Sequence, residues 1–221
     1  MSGTSIGAVD ETLYFIAAFS FLLLFGIVFF LVYFAVRYRA SRSPVATEIH
    51  GSVPLEILWI VVPTLIALAM FFYGLTGYNF LRHAPAGSLE VTVHSRQWAW
   101  VFEYPDGTTA TSLAVPAGRD VRLTLVSEDV IHGFYLPGYR IQVDAVPGMK
   151  TYAWFKAGKI GVFDILCTVY CGTNHSGMMA KLFVLPQESF DAWRAGGEVS
   201  QSGITLPAPA KAEARHEEGK E

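Results

Sequence analysis

The chain has 221 residues, of which 52% are hydrophobic, and its mean hydropathy is positive at +0.37. This composition excludes an ordinary soluble domain, and the apolar excess is concentrated near the amino terminus. The formal net charge of −3 gives no basic excess, and no nucleic-acid partner is expected.

Two apolar segments are long enough to cross a membrane. Tyr14 to Val36 contains 23 residues without a charge, and Ile57 to Tyr73 contains another 17, extending to Leu81 if Gly74 to Asn79 are included. A helical span needs about 20 apolar residues. The first segment has no basic region before it and no small-residue cleavage site after it. We therefore expect a retained helix rather than a signal peptide.

The charges that flank these segments predict their orientation. Only Asp10 and Glu11 precede the first segment, whereas Arg37, Arg39 and Arg42 lie in the short loop before the second. Loops rich in arginine and lysine stay in the cytoplasm. The amino terminus and everything that follows the second segment are therefore expected outside.

Beyond about residue 87 the pattern changes to short strands that are rich in β-branched and aromatic residues and are separated by turns containing proline and glycine. The predicted strands are Leu89–Val93, Trp98–Tyr104, Val121–Val126, Tyr152–Phe155, Val162–Cys167 and Leu182–Leu185. In the third of them apolar and polar residues alternate, as one buried sheet face requires. About 100 residues of this kind predict a compact β-sandwich.

The last stretch, from Gly196 to Glu221, has no apolar period and is predicted to be a disordered tail. It contains no C-x-x-C-H motif, so no fused c-type haem is expected. The predicted organisation is an outer segment at 1–13, a two-helix membrane hairpin at 14–81, a β domain at 82–195 and the tail at 196–221.

A cluster of metal-ligand residues lies near the end of the β domain. Cys167 to Met178 reads C-T-V-Y-C-G-T-N-H-S-G-M, and His132 lies upstream in a D-V-I-H segment. Thiolates, imidazoles and a thioether suit copper rather than calcium or magnesium. A mononuclear blue-copper site needs only one thiolate, so the second cysteine is surplus there. Two thiolates can instead bridge two copper ions, with one histidine each, a methionine on one ion and a main-chain carbonyl on the other.

Three other interpretations of this cluster stay open. The two cysteines could form a disulfide in an oxidising compartment, which leaves the histidine and methionine unexplained. A Cys2His2 zinc site has the right ligand count but makes no use of Met178. A thiol-based copper chaperone can also carry a C-x3-C pair, but it would normally have a thioredoxin-like fold.

The whole constellation, C-x3-C-x3-H-x2-M after a D-V-I-H histidine, resembles the dinuclear copper centre (CuA) of cytochrome c oxidase subunit II. The resemblance covers about residues 10–190 and includes P-L-E-I-L-W-I-V-V-P at Pro54–Pro63 and Q-W-A-W-V-F-E-Y at Gln97–Tyr104. It implies a membrane α-helical hairpin followed by an all-β, cupredoxin-like sandwich. The copper ligands that it implies are His132, Cys167, the Val169 carbonyl, Cys171, His175 and Met178.

The resemblance also implies roles for two residues outside this loop. The position of Trp98 is where electrons arrive from a cytochrome, and the position of Glu56 lies near the mouth of a proton channel in the catalytic subunit. The alternative for Glu56 is an interfacial charge that anchors the helix. The alternative for Trp98 is a core aromatic, because on a strand it shares one face with Trp100.

One residue departs from the family pattern. The family's usual loop has a glutamate two residues after the first cysteine, where this chain has Val169. That glutamate ligates copper through its carbonyl and helps to hold a magnesium ion through its side chain. The carbonyl of Val169 can still serve as a ligand, whereas the magnesium site is expected to be lost.

The function implied is electron transfer from cytochrome c or a similar periplasmic donor, through the copper pair, to haem in catalytic subunit I of a respiratory haem-copper oxidase that reduces oxygen. Haem and CuB are expected in that partner and not in this chain. The alternatives are a haem-copper nitric oxide reductase and a membrane-anchored copper-binding protein. A quinol oxidase is disfavoured, since that branch lacks the copper ligands.

The expected location is a bacterial-type plasma membrane, with the two spans in contact with lipid and the copper domain on the outer side. Residues 82–199 contain ten Lys or Arg and eleven Asp or Glu, so no strong overall field would steer a basic cytochrome. The donor therefore stays open between a soluble cytochrome c, a small copper protein and a supercomplex partner.

Overall fold

The computed structural model describes residues 5–45, 48 and 50–210. The chain folds as two units, a helical unit that covers residues 7–79 and a second unit that continues from residue 80. Each unit has its own architecture and is described separately.

The helical unit contains most of two long helices, α1 (Ser5–Arg37) and α2 (Val53–Arg82). Among the described residues, Ile6–Arg37 and Val53–Arg82 are long and apolar enough to cross a membrane. Their large apolar side chains are mostly exposed, as lipid-facing surfaces require. The two predicted spans are therefore present as helices. Helix α1 starts at Ser5, so part of the predicted outer segment at 1–13 is helical.

The second unit is built from two five-stranded sheets and a small hairpin. The strands are β1 (Leu89–Arg96), β2 (Ala99–Glu103), β3 (Thr109–Ala110), β4 (Leu113–Pro116), β5 (Asp120–Ser127), β6 (His132–Leu136), β7 (Ile141–Ala145), β8 (Thr151–Lys156), β9 (Gly161–Cys167), β10 (Met179–Leu185), β11 (Val199–Gln201) and β12 (Ile204–Leu206). The sheet orders are β3-β2-β1-β5-β8 and β4-β10-β9-β6-β7. Pairing is antiparallel except for β1 with β5 and β4 with β10. All six predicted strands are present, and β2 starts one residue after Trp98.

The apolar core of this unit lies between the two sheets. In β5 the predicted alternation is confirmed, because Val121, Leu123 and Leu125 are fully buried while Arg122 and Thr124 between them are not. Alternation of this kind fixes the pairing register, since a slip by one residue would turn the apolar face to solvent. The strands therefore provide a fixed frame for the loops at their ends.

A tyrosine ties the two sheets together. Tyr104 follows β2, is fully buried, and exchanges two hydrogen bonds of 2.8 Å with Ala114 on β4, donating to its carbonyl and accepting from its N–H. Burial raises the pKa of Tyr104 far above its ordinary value, so the phenol is neutral at every physiological pH. The hydroxyl therefore satisfies the N–H and the carbonyl of Ala114, which are buried away from solvent.

We expect Tyr104→Phe to lower the free energy of unfolding by about 2–4 kcal/mol, because two buried backbone groups of Ala114 lose their partner. Equilibrium unfolding in denaturant measures this change. Tyr152→Phe is the matched control, since the Tyr152 hydroxyl donates a single exposed hydrogen bond of 3.3 Å to the Arg82 carbonyl. Its loss should cost under about 1 kcal/mol. Equal costs for both variants would refute the role given to Tyr104.

The prediction of a disordered tail is wrong for residues 196–210. Helix α3 (Gln187–Arg194) is followed by the β11–β12 hairpin, in which Leu206 is fully buried. The buried Trp193 donates from Nε1 to the Pro207 carbonyl at 2.9 Å, and Ala210 pairs with Thr109 through two hydrogen bonds of 2.8 Å. These anchors lie far apart in sequence, so local composition could not reveal them. Residues 211–221 of the predicted tail lie outside the described residues.

Candidate metal centre

The predicted metal ligands meet at one end of the second sheet. His132 is the first residue of β6 and Cys167 is the last residue of β9, and these strands pair with Phe134 opposite Cys167. The connection from β9 to β10 then returns over the same end of the sheet and carries the remaining ligands. Gly133 permits this close return, because a Cβ there would lie 2.9 Å from the Val169 nitrogen.

The sulfur atoms form a compact cluster around Cys171. Its Sγ lies 3.8 Å from Cys167 Sγ, 3.8 Å from Met178 Sδ and 3.6 Å from His175 Nδ1. Ligand atoms of His132, Cys167 and Cys171 all lie within 4.8 Å of one another. The fold thus brings together all five side chains that the sequence nominated. Both cysteines are free, since the separation of their sulfur atoms far exceeds a disulfide bond of about 2.05 Å.

A backbone oxygen also faces this cluster. The Cys167 thiol donates to the carbonyl of Val169 at 3.3 Å. This is the carbonyl that the sequence nominated, and it lies on the side of Cys167, whereas Met178 lies on the side of Cys171. The donor set therefore has a soft thioether at one end and a carbonyl oxygen at the other.

His132 is oriented for binding through one ring nitrogen. Its side chain is fully buried, and Nε2 donates to Asp129 Oδ1 at 2.8 Å. Nδ1 is buried too and has no hydrogen-bond partner among the described residues. A buried nitrogen left without a partner is costly, and a carboxylate on the opposite ring nitrogen is the usual support of a metal-binding histidine. The orphaned Nδ1 therefore fits a metal ion.

The Asp129 carboxylate accepts three hydrogen bonds. Besides His132 Nε2, it accepts the backbone N–H of Gln97 at 2.7 Å and that of Val130 at 2.6 Å. Burial opposes ionisation of the carboxyl, but the hydrogen bonds from His132 and the two amides outweigh it and hold the pKa of Asp129 below its ordinary value. Asp129 is therefore a fixed anion that orients the imidazole.

Cys171 lies in an environment that disfavours a bare thiolate. Burial and, after it, the neighbouring Cys167 raise the pKa of Cys171 to about 11. Without a cation the Cys171 thiol therefore stays protonated at neutral pH. A soft cation would displace this proton and be held by the resulting thiolate.

The two tryptophans of the aromatic segment have different surroundings. Trp98 lies in the turn between β1 and β2, so the expectation that it shares a strand face with Trp100 is wrong. Trp100 is buried and its ring packs edge-on against those of His132 and Phe134. Trp98 is half-buried and donates from Nε1 to the Cys171 carbonyl at 3.3 Å. It therefore touches the connection from β9 to β10, residues 168–178, which we call the ligand loop, and it also reaches the surface.

Family models match both parts of the chain. The model described as "Cytochrome C oxidase subunit II, transmembrane domain" matches residues 4–76, and the one described as "Cytochrome C oxidase subunit II, periplasmic domain" matches residues 107–182. The alternative cytochrome c oxidase subunit 2 of Bradyrhizobium diazoefficiens is 30% identical over 86% of this chain and 80% of the relative. The chain belongs to the cytochrome c oxidase subunit II family.

The chain is also similar to another relative and to a solved structure. Cytochrome c oxidase subunit 2 of Thermostichus vulcanus is 28% identical over 80% of this chain and 71% of the relative. The crystal structure of the periplasmic domain of subunit II of cytochrome oxidase from Bradyrhizobium japonicum is 28% identical, with a TM-score of 0.48 over 50% of this chain and 94% of that one.

Membership in the subunit II family establishes the general role of the chain. Subunit II is the electron-transfer subunit of a haem-copper oxidase, which is an oxidoreductase complex. The two membrane-spanning helices and the periplasmic family domain make the chain a membrane protein with an outer-side, cupredoxin-like domain.

Three further residues lie outside the set of proposed ligands, namely Glu56, Gln97 and Asp129. Glu56 lies in the first turn of α2 and is exposed. Its role at a proton channel stays a prediction. Gln97 and Asp129 were not nominated, although both lie inside quoted motifs, Q-W-A-W and D-V-I-H. Only the folded contacts show that they support the ligands.

Proposed function

We propose that this subunit II binds a dinuclear copper centre and passes electrons from cytochrome c or a similar periplasmic donor to haem in catalytic subunit I of an oxygen-reducing oxidase in a bacterial plasma membrane. The observation that carries the proposal is the pair of free thiols 3.8 Å apart beside a buried imidazole nitrogen that has no hydrogen-bond partner in the described part of the chain. The proposed ligands are His132, Cys167, the Val169 carbonyl, Cys171, His175 and Met178.

The donor set favours two copper ions over the alternatives. A zinc site would be complete with two thiolates and two imidazoles, leaving Met178 without a purpose. Met178 is nevertheless fully buried, with its sulfur directed at Cys171. A mononuclear blue-copper site would leave one thiolate unused. When bound, a copper pair held by these residues would supply one-electron transfer at the site.

The chain buries three of these ligands and holds several of them in place, while Cys167 and His175 are half-buried. His132 and Met178 are fully buried, and Cys171 is 4% exposed. The ligands of β6 and β9 are held by strand pairing, and His132 is also held by Asp129. Ligands locked by packing and by supporting hydrogen bonds keep one geometry through a reaction cycle.

Trp98 is the proposed point where electrons arrive. Its indole N–H bonds the carbonyl of Cys171, so it connects the surface with a ligand residue. The surface beside the ligand loop also carries exposed apolar side chains, including Tyr170, Val130 and Ile131. An apolar face of this kind, together with the balanced charge of the domain, supports docking that depends weakly on ionic strength.

Val169 is the reason for considering a second type of catalytic partner. Its side chain has no carboxylate, so the proposed complex lacks a magnesium ligand that the family resemblance implies. A nitric oxide reductase is therefore the second candidate. Turnover of the intact complex with oxygen and with nitric oxide decides between them. Oxygen consumption coupled to donor oxidation supports the oxidase, and reduction of nitric oxide alone would overturn it.

We also propose that Glu56 lies near the mouth of a proton channel of the catalytic subunit, as the family resemblance implies. Glu56→Gln removes the ionisable group but keeps the shape of the side chain. We expect oxygen turnover to fall about 10-fold at high pH, where proton supply limits the rate, with an unchanged copper signal. Glu48→Gln, in the loop before α2, is the control. Unchanged turnover in Glu56→Gln over the whole pH range would leave Glu56 as an anchoring charge.

A further inference from the structure

Gln97 is hydrogen-bonded to both sides of the candidate metal centre. Its backbone N–H donates to Asp129 Oδ2 at 2.7 Å, and the other oxygen of Asp129 accepts from His132 Nε2 at 2.8 Å. Its side-chain Nε2 donates to the Cys171 carbonyl at 2.7 Å. Gln97 lies in the β1–β2 turn of the first sheet. It therefore connects His132 and Cys171, two proposed ligands at the end of the second sheet.

The backbone after Cys171 is shaped to receive these contacts. Gly172 has a φ of +122°, and a Cβ built there would lie 3.0 Å from Gln97 Nε2 and 3.2 Å from Trp98 Nε1. The missing side chain lets both donors approach the Cys171 carbonyl, Gln97 at 2.7 Å and Trp98 at 3.3 Å. A carbonyl with two donors on it is fixed in orientation, and so is the residue that carries it.

The start of the ligand loop is bonded to the neighbour of His132, since the Thr168 N–H donates to the Gly133 carbonyl at 3.0 Å, whereas Cys171 lies three residues further along. After Cys171 the chain leaves the sheet, and Thr173 and Asn174 are exposed. His132 and Cys171 are far apart in sequence and are not paired by the β6–β9 ladder, which ends at Cys167. The path from His132 through Asp129 and Gln97 to Cys171 bridges this gap with three hydrogen bonds.

We propose that Gln97 is a positioning residue that sets the placement of Cys171 relative to His132 in the copper centre. The inference rests on the proposed function, because it concerns the geometry of that centre. The residue need not touch a copper ion. It acts through the Cys171 carbonyl on one side and through Asp129 on the other, and both are supports of ligands rather than ligands.

Gln97→Met tests the proposal in the full-length chain, purified in its complex. Methionine keeps the length of the side chain and the backbone N–H to Asp129 but removes the donor to Cys171. We expect an altered hyperfine pattern in electron paramagnetic resonance and about tenfold faster loss of copper to a chelator. Gln97→Glu is the second variant, since a carboxylate facing the carbonyl should enlarge both changes.

Gln187→Met is the matched control. Gln187 also loses a side-chain hydrogen bond, to Asp191 Oδ1 at 2.9 Å, but it lies on α3 and makes no contact with the ligand loop. Its spectrum and copper release should equal those of the unchanged chain. A thermal melt of each variant shows whether a change reflects general unfolding.

The outcomes separate this proposal from the proposed function. An unchanged chain that carries a copper pair, with both Gln97 variants identical to it in spectrum and copper release, would overturn the positioning role alone. The same holds if the variants change only the KM for the donor, since that result assigns Gln97 to the docking surface. An unchanged chain without copper would overturn the proposed function and the positioning role together.

Discussion

Cys171→Ser is expected to abolish the dinuclear centre. The Cys171 sulfur is the point where Cys167, His175 and Met178 converge, at 3.6–3.8 Å. A serine oxygen is a hard donor that binds copper poorly and cannot bridge two ions as a thiolate does. Copper content should fall from about two ions per chain to one or none, and oxygen turnover should fall by at least about 100-fold.

The fold should survive this change, because serine is close to cysteine in size. Ser176→Ala is the control, since Ser176 is exposed in the same loop and contributes no proposed ligand. We expect Ser176→Ala to keep both copper ions and full turnover. Metal analysis, paramagnetic resonance and oxygen consumption on the same preparations measure the difference. A Cys171→Ser chain that keeps the signal of a shared electron would refute the bridging role of Cys171.

Trp98→Phe is expected to slow electron delivery from the donor by about 10- to 100-fold, because it removes the indole N–H that bonds the Cys171 carbonyl and shortens the aromatic contact at the surface. Stopped-flow mixing with reduced cytochrome c measures this rate. A small chemical reductant provides an internal reference, since it reaches the centre without docking and should react at an unchanged rate.

Trp59→Phe is the matched control for the Trp98 variant. Trp59 is an exposed tryptophan on α2, outside the outer domain, and its replacement should leave donor oxidation unchanged. If Trp98→Phe reacts with the donor as fast as the unchanged chain does, electrons reach the centre by another path. If the small reductant slows as well, the substitution has disturbed the centre itself.

The parts of the fold that sequence predicts well are those with a local signal. Both membrane helices follow from uncharged runs that a soluble fold would not tolerate, and β5 follows from strict alternation. The start of α1 at Ser5 was missed, because Asp10 and Glu11 interrupt the apolar run without interrupting the helix. Both residues lie beyond the first turn of α1, so their charges do not mark the helix boundary.

The site shows the same division between local and long-range information. The spacing of Cys167, Cys171, His175 and Met178 carries its own chemistry, and the structure brings the four side chains together. Gln97 and Asp129 were missed, since nothing in their neighbourhood shows that a turn of one sheet bonds a loop of the other. The hairpin that ends in Leu206 was missed for a similar reason, because the residues that follow it, Pro207 and Ala210, are hydrogen-bonded to Trp193 and Thr109 elsewhere in the chain.

Val169 departs from the family pattern in its side chain and keeps the main-chain carbonyl. The resemblance predicts that the side chain at this position has lost a metal ligand, and the geometry shows the carbonyl still beside Cys167. A main-chain oxygen does not depend on the side chain attached to it. The loss of the magnesium ligand at Val169 therefore does not argue against the copper centre.

Electron paramagnetic resonance combined with metal analysis, on the full-length chain purified in its complex, tests the central claim most directly. We predict about two copper ions per chain and a multiline or narrowed signal from one electron shared between them. A four-line mononuclear signal, bound zinc, or a disulfide between Cys167 and Cys171 without metal would contradict the dinuclear centre and the electron path that depends on it.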